Sequence, residues 1–222
     1  MTSVLTVTEA VRSRRSVRAF LDTPVSEALL REALELAARA PSGGNVQPWR
    51  IYVLAGERLA QLKQTVRPSP PALPEYPIYP EKLGEPYRSS RYTVGEQMYA
   101  LLGISREDKM ARMKWLMRNF EFFGAPIGLF CYVGREMGSA QWSDLGMYLQ
   151  TLMLLLRERG LDSCPQEAWA TQHRAVSAFL QTPPELMLFC GMGIGQADQA
   201  APVNHLRSER IPLEQFAVLQ GF

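Results

Sequence analysis

The stretch from residue 141 to 160 constrains the fold most, because its apolar residues recur at helical spacing over several turns. One face of this predicted helix carries six apolar residues: Leu145, Tyr148, Leu149, Leu152, Met153 and Leu156. Met147, Leu154 and Leu155 make the other side apolar too, and Gly160 ends the helix. A helix that is apolar nearly all round has to be buried on all sides. In a chain of 222 residues, a second subunit is a natural way to achieve that burial.

The bulk composition indicates one domain and excludes several function classes. Hydrophobic residues make up 46% of the chain, enough for one core. The net charge of +2 is far from the basic excess of a nucleic-acid-binding protein. The longest apolar run, around residues 152–156, is too short to span a bilayer, and no charged-then-apolar leader opens the chain. We therefore expect a single cytoplasmic domain over residues 1–222, with no nucleic-acid or membrane partner.

Short apolar runs alternate with longer helical stretches along the chain. Strands are predicted at four places: 51–54, 127–133, 161–164 and 186–190. Thr6 and Glu9 fit a capping box that opens a first helix, and Ser26 opens a second helix that Pro41 ends. Helical patterns also extend over residues 91–123 and 171–180. Few short strands among long helices favour an α+β fold with a small central sheet. A doubly wound parallel fold is the disfavoured alternative.

Seven prolines fall between residues 68 and 86, with Tyr76 and Tyr79 among them. Such a segment cannot be a helix or a central strand. A linker between two domains is the alternative. However, the parts of the chain before and after this segment are too small, and too similar in their residue patterns, to be separate domains. We expect residues 68–123 to form a substrate-facing cover, whose aromatic side chains can stack on a flat substrate. Arg88 or Arg91 could pair with an acidic substrate.

Residues 14–18 read R-R-S-V-R and form a concentrated set of hydrogen-bond donors. A phosphate monoester carries nearly two negative charges and several acceptor oxygens, which suits three arginines and a hydroxyl. A solvated basic face is the alternative interpretation. Only 4 of the 24 basic residues are lysines, so arginine abundance alone says little, and only clustered arginines count.

Residues 40–49 read A-P-S-G-G-N-V-Q-P-W and join a predicted helix to a predicted strand. The two glycines let the backbone approach a flat ligand closely. Ser42, Asn45 and Gln47 supply neutral donors and acceptors for the edge of a heterocycle. An ordinary turn between helix and strand is the alternative.

Other enzyme classes lack the residues they need. The three cysteines have no CxxC spacing, so neither a disulfide framework nor a zinc site is expected. The two histidines, His173 and His205, form no recognisable triad or metal-ligand spacing, and we expect His173 to lie at the surface of its helix. The glycines at 191, 193 and 195 imitate a dinucleotide fingerprint, but Gln196 stands there and Pro202 follows. We interpret them as tight-packing positions.

The motifs at 14–18 and 40–49, in this order and with one helix between them, resemble those of the nitroreductase family of FMN enzymes. A third match lies near the end, A-A-P-V-N at residues 200–204 followed by Arg207, Arg210 and Pro212. The resemblance implies an α+β fold with a small mixed sheet and an obligate, intertwined homodimer. Two FMN sites would lie in the dimer interface, with residues 207–222 acting as a dimer arm.

The resemblance also assigns roles to individual residues. It places Arg14, Arg15 and Ser16 at the FMN phosphate, helped by Arg210 and Arg207 from the tail. Arg18 would lie near flavin N1 and the C2 carbonyl, where reduction concentrates negative charge. Ser42 and Asn45 would reach the flavin of the other subunit. Pro165, Gln166 and Glu167 would lie beside the ring, with a backbone N–H near Glu167 facing N5. Family members commonly carry Gly where this chain has Ala168.

The implied activity is hydride transfer from NAD(P)H to a nitroaromatic or quinone, through FMN, in a ping-pong scheme. Hydride transfer needs no side-chain acid or base, which agrees with the scarcity of histidine. Two alternatives stay open at this point. One is another reaction of the same flavin fold, reductive dehalogenation or flavin reduction. The other is a non-catalytic ligand-binding dimer.

Overall fold

The structure is a computed structural model that describes residues 5–67 and 69–222. Its centre is a sheet of four strands in the order β1-β2-β4-β3. Their bounds are Arg50–Ala55 (β1), Ile127–Gly134 (β2), Asp162–Gln166 (β3) and Leu186–Gly195 (β4). All four predicted strands are present. The fourth runs five residues beyond its predicted end, because the glycines at its end still pair with β2 and β3.

Seven α-helices surround the sheet in the described part of the chain. They are Val7–Ser13 (α1), Glu27–Ala37 (α2), Gly56–Val66 (α3), Tyr87–Leu101 (α4), Lys109–Met117 (α5), Ser139–Glu158 (α6) and His173–Leu180 (α7). Short 3₁₀ turns fall at Gly43–Asn45, Arg118–Gly124, Glu167–Gln172, Pro202–His205 and Leu213–Gln215. None of the helices in the described residues is long and apolar enough to cross a bilayer.

The continuous apolar run of β2 follows from burial on both faces of the sheet. Ile127, Leu129, Cys131 and Val133 point to one side, where they pack with α2 and α6. Phe130 and Tyr132 point to the other side, where α3, α7 and Trp169 cover them. The α+β prediction is confirmed. The mixed character of the sheet is confined to one isolated parallel bridge, Ser16 to Ser163, because all neighbouring strands pair antiparallel.

The helical predictions need two corrections. Helix α3 was not predicted, although Leu59, Leu62 and Val66 form its buried face. The predicted helical stretch 91–123 is two helices and a turn. Gly103, with φ +65°, ends the first helix in a left-handed conformation, which glycine adopts without strain. Asp108 begins the second by accepting a hydrogen bond from the Ala111 N–H at 2.9 Å.

Helix α6 buries only one face inside its own chain. The six residues expected on the apolar face are all buried, and they form the centre of the core with α2. Leu154 and Leu155 are half-buried, and Met147 is 37% exposed. The second apolar side of this helix is therefore only partly covered within one copy of the chain.

Hydrogen bonds attach the proline-rich segment to the sheet and to the turn before α7. The Ala72 N–H donates to the Thr171 carbonyl at 2.7 Å, and the Tyr76 hydroxyl donates to the Phe189 carbonyl. Glu75 forms an ion pair with Arg135, and its other carboxylate oxygen lies 3.3 Å from Nδ1 of His173. His173 thus faces the proline-rich segment instead of the solvent that we expected around it. Pro68, where the predicted cover begins, and residues 1–4 lie outside the described residues.

Candidate functional site

A cavity of about 390 Å³ lies between the residues after α1 and the C-terminal tail. Six arginines line this arginine cavity: Arg12, Arg14, Arg15, Arg18, Arg207 and Arg210. Two serines and three apolar residues complete its walls: Ser16, Ser208, Val11, Val94 and Leu206. Two sequence motifs that lie almost 190 residues apart therefore meet at one site. All phosphate-binding residues predicted from the sequence line it.

The motif at 14–18 reaches this cavity because it leaves α1 as extended chain. Arg14 is the C-cap of α1, with φ −62° and ψ 132°, so the helix stops there. The Val17 N–H then donates to the Ser163 carbonyl of β3 at 3.0 Å, and the Val17 side chain is fully buried. Side chains alternate along extended backbone, so burial of Val17 turns Ser16 and Arg18 towards the cavity.

A buried amide helps to hold the tail against this motif, beside backbone hydrogen bonds from Leu21 to Gln196 and from Asp198 to Ala19. Asn204 accepts a hydrogen bond from the Arg18 backbone N–H at 2.8 Å. Its Nδ2 donates to the carbonyls of Ala19, at 2.8 Å, and Asp198, at 2.9 Å. The side chain is 1% exposed and fully satisfied. Asn204 was quoted in the resemblance but given no role, although an amide next to a buried valine in a turn is a usable signal for such a clamp.

The arginine cavity is strongly cationic. In the described part of the chain, no carboxylate forms an ion pair with any of its six arginines. Burial, and then the neighbouring Arg210, lower the pKa of Arg14. Burial and Arg207 lower the pKa of Arg15 in the same way. The buried Nε of Arg15 finds no partner among the described residues. These groups repel one another, so an anion with several acceptor oxygens would stabilise them.

The segment predicted to lie beside a flavin ring forms the exposed end of β3. Pro165 and Glu167 are exposed, whereas Gln166 between them is 3% exposed. The Gln166 side chain points inward and donates to the Asn119 carbonyl at 2.8 Å. Strand alternation turns the Gln166 side chain into the body, so only its backbone could contribute to a site beside this strand. Through this hydrogen bond, the Gln166 side chain supports the turn at 118–124.

Glu167 connects this segment with the predicted cover. Arg91 of α4 stacks on the Tyr79 ring, with Cζ 4.0 Å from the ring centroid. Partial burial raises the pKa of Glu167, while Arg91 and the Tyr79 hydroxyl act in the opposite direction. Tyr79 and Arg91 thus lie near the exposed end of β3. Within the predicted cover, these two residues lie nearest the site, whereas residues 72–76 contact the core.

A second cavity, of about 480 Å³, lies on the other side of Arg210. This α4 cavity is lined by Tyr79, Leu83, Tyr87, Ser90, Arg91, Val94 and the tail residues 208–210. It shares Val94, Ser208 and Arg210 with the arginine cavity. The two cavities are therefore neighbours along the same helix.

Ser42 and Asn45 do not line either cavity. They flank and end the 3₁₀ turn Gly43–Asn45, which is held to α6 by a hydrogen bond from the Gly43 N–H to Asp144 at 3.3 Å. Ser42 accepts from the Gln47 N–H at 3.0 Å, and Asn45 is exposed with φ 58°. Within one chain these polar groups contact no part of the cationic site. Asp144, which is buried and holds the turn, was not predicted.

The glycines of β4 serve close packing, as predicted. A Cβ on Gly191 would lie 2.3 Å from Cδ1 of the buried Trp169. One on Gly193 would lie 2.9 Å from the Phe122 carbonyl oxygen, and one on Gly195 would lie 2.6 Å from Cδ of Pro126. Their alternation places all three on one face of the strand. Across the described residues, no group of three or more metal-ligating side chains is found.

Comparison with known proteins gives consistent matches over nearly the whole chain. The family model described as "Nitroreductase family" matches residues 11–196. The chain is 37% identical over 215 residues to the nitrobenzene nitroreductase of Ectopseudomonas oleovorans, covering 95% of each chain. It is 40% identical over 215 residues to the 4-nitrobenzoate reductase of Pseudomonas putida, covering 96% of this chain and 94% of that one.

Solved structures agree with these relatives. The FMN and NADPH-dependent nitroreductase NfnB from sphigopyxis sp. strain HMH superimposes with a TM-score of 0.94 at 47% identity, covering 98% of this chain and 100% of that one. The FMN-dependent NfnB from Mycobacterium smegmatis in complex with NADPH gives a TM-score of 0.91 at 28% identity, covering 96% and 97%.

Proposed function

This chain belongs to the nitroreductase family, and we propose that it is an FMN-dependent oxidoreductase that takes hydride from NAD(P)H and reduces nitroaromatic or quinone-type acceptors. The observation that carries the proposal is the arginine cavity. Six arginines without acidic partners among the described residues line one space beside the exposed end of β3. Such a space suits the phosphate of a flavin nucleotide whose ring extends towards β3.

The residues present fit FMN. The orphaned Nε of Arg15 and the mutual repulsion of Arg14 and Arg210 leave donors for a dianionic phosphate. Arg14, Arg15, Ser16, Arg207 and Arg210 would hold that phosphate. When bound, FMN supplies a ring that accepts hydride from the nicotinamide and returns it to the acceptor.

The protein's own contribution is binding, orientation and fixed charge. Arg18 lines the cavity: its backbone N–H donates to Asn204, and its guanidinium donates to the Ser16 carbonyl at 3.3 Å. A fixed cation at the N1–C2 carbonyl edge would stabilise the negative charge of a reduced ring. The backbone at Glu167 would present a donor near N5. Both contributions are made without a histidine, since hydride transfer needs no side-chain acid or base.

The range of acceptors is supported by the relatives, which are named for nitrobenzene and 4-nitrobenzoate reduction. NADPH is supported by the two structures, one NADPH-dependent and the other in complex with NADPH. A ping-pong order follows if nicotinamide and acceptor occupy the same space in turn. We place the enzyme in the cytoplasm, where its three buried cysteines would stay reduced.

We infer that the enzyme acts as an intertwined homodimer. Ser42 and Asn45 lie away from the cationic site of their own chain, so they could reach a flavin only in a second copy. The side of α6 that carries Met147 is incompletely covered, and the tail carries exposed apolar side chains. These are Ile211, Leu213, Phe216, Val218, Leu219 and Phe222. Contact with a second copy would bury these tail side chains and cover the exposed side of α6.

The experiment is purification followed by anaerobic reduction. We expect a yellow protein that releases FMN on denaturation, bleaches on addition of NADPH and regains its colour with nitrobenzene or a quinone. NADH is titrated in parallel. A flavin-loaded protein that neither coenzyme reduces would overturn the enzyme assignment in favour of a binding protein. A colourless protein that does not take up added FMN would show that FMN is not its cofactor.

A further inference from the structure

We propose that the α4 cavity binds the ring and the carboxylate of an acidic nitroaromatic, with Arg91 as the residue that selects for the carboxylate. The proposal rests on the proposed function and deepens it, because it chooses the charged class of nitroaromatic over the neutral class. It depends on four observations. Arg91 forms no ion pair among the described residues, whereas Arg88 does. The α4 cavity has apolar and aromatic walls, and it lies beside the arginine cavity.

Arg91 is oriented but unpaired. Its Cζ lies 4.0 Å from the centroid of the Tyr79 ring, and among the described residues no carboxylate lies within ion-pair distance of its guanidinium. A guanidinium stacked on an aromatic face keeps its edge donors available, and those donors match the two oxygens of a carboxylate. The stacking also restricts the side chain, so less conformational entropy is lost when the anion binds.

Arg88, one turn earlier on the same helix, is in a different state. It forms an ion pair with Glu85 at 2.7 Å, and its side chain is 72% exposed. It does not line the α4 cavity. The two arginines look equivalent in the sequence, and only the fold separates the paired one from the available one.

The walls of the cavity suit a flat apolar ring. Leu83 and Val94 provide aliphatic surface, and Tyr79 and Tyr87 provide aromatic faces. The volume of about 480 Å³ is in the range of small-ligand pockets. Because Val94 and Arg210 also line the arginine cavity, a ring bound here would lie next to the space assigned to the cofactor.

Two carboxylates oppose the preference for an anion. Glu209 lines the cavity, and Glu167 lies close enough to Arg91 for each to affect the other electrostatically. Arg210 also lines the cavity and uses its Nη1 on the Ser208 and Glu209 carbonyls, without a carboxylate partner in the described chain. Neutralising Glu167 should therefore strengthen the binding of an acidic ligand.

The kinetic test compares 4-nitrobenzoate with nitrobenzene. In Arg91→Leu we expect KM for 4-nitrobenzoate to rise about 10-fold or more, the loss of one charge-assisted hydrogen-bonded pair, with KM for nitrobenzene changed less than about twofold. Arg88→Leu is the matched control and should change neither value. Arg91→Lys should restore part of the loss, because it keeps the charge but not the fork. Glu167→Gln should lower KM for 4-nitrobenzoate.

A binding test separates this proposal from the proposed function. Benzoate and its neutral analogue benzamide are titrated into the flavin-loaded protein, and the flavin absorbance is followed. We expect benzoate to bind more tightly than benzamide, and Arg91→Leu to abolish the difference. Equal weakening of both nitro substrates in Arg91→Leu would overturn the proposal, as would a raised KM for NADPH alone, which would assign the cavity to a coenzyme phosphate. A wild-type protein that reduces neither substrate but still prefers benzoate would contradict the proposed function alone.

Discussion

Asn204 accepts a hydrogen bond from the backbone N–H of Arg18 at 2.8 Å, across a sequence separation of 186 residues. The same side chain donates to the Ala19 and Asp198 carbonyls, so one buried amide joins the start of the chain to its end. This contact brings the tail motif next to the arginine motif. Together with the backbone hydrogen bonds between residues 19–21 and 196–198, it sets the position of Arg207 and Arg210 relative to Arg14.

Replacing Asn204 with alanine should weaken both the fold and the cofactor site. The change leaves the Arg18 N–H and two carbonyls without their partner in a buried place, which should lower the free energy of unfolding by about 3 kcal/mol. FMN affinity should fall as well, because the tail arginines lose their anchor. Urea unfolding and FMN titration measure the two effects. Gln64→Ala, at an exposed amide on α3, is the control, and an equal effect there would refute the anchoring role.

Arg14→Ala should weaken FMN binding about 10- to 100-fold, equivalent to the loss of one charge-assisted bond of about 1.5–3 kcal/mol. Arg14→Lys should recover only part, since an ammonium does not reproduce the planar fork. Equilibrium titration of the apoprotein with FMN gives both values. The control is Arg31→Ala, whose ion pair with Glu27 is exposed on α2. An Arg14→Ala protein with unchanged flavin affinity would remove Arg14 from the phosphate site.

Removal of residues 213–222 should shift the assembly from dimer towards monomer. The removed segment carries Phe216, Val218 and Phe222, which are 64%, 84% and 105% exposed in the single chain. Burying such side chains in a partner contributes on the order of 1.5–3 kcal/mol each. Sedimentation at micromolar concentration should give a full-length dimer and a weaker assembly after truncation. A folded full-length monomer under these conditions would contradict the dimer proposal.

Gly191→Ala should destabilise the protein by about 1–3 kcal/mol, the usual range for an overpacked core. The new Cβ would lie 2.3 Å from Cδ1 of the buried Trp169, whose ring is stacked on Phe122 at 4.5 Å and so has little room to shift. The matched control is Gly95→Ala in α4, where no atom lies within 4 Å. That change should stabilise the helix by up to about 1 kcal/mol. Urea unfolding compares the two variants, and equal effects would show that Trp169 adapts.

The buried thiols should make stability fall in alkaline solution. Burial raises the pKa of Cys164 to about 11 and of Cys131 to about 12, from an ordinary value of 9.0. Between pH 9 and 11 the unfolded chain therefore releases these protons while the native chain keeps them. The free energy of unfolding should fall as pH rises through this window, by up to about 1.4 kcal/mol per unit and per thiol. Cys164→Ala should show a smaller slope. Rapid labelling of Cys164 by a thiol reagent in the native protein at pH 8 would refute its burial.

The sequence determined the elements whose residues interact locally. The Thr6–Glu9 capping box is present as predicted, and the apolar runs became the four strands. The arginine motif at 14–18 could be identified because a concentration of donors is visible without a fold. Helix α3 was not predicted, since its three buried residues are spread among polar ones.

Only the tertiary structure decided which groups face the site. Strand alternation turned Gln166 inward, and contacts with Phe189 and Thr171 fixed residues 72–76 of the expected cover to the core. Arg88 and Arg91 differ only because Glu85 pairs with the first and Tyr79 lies under the second. Such assignments depend on distances between residues that are remote in the chain. Local propensity carries no information about those distances, so it can name the candidate side chains but cannot choose among them.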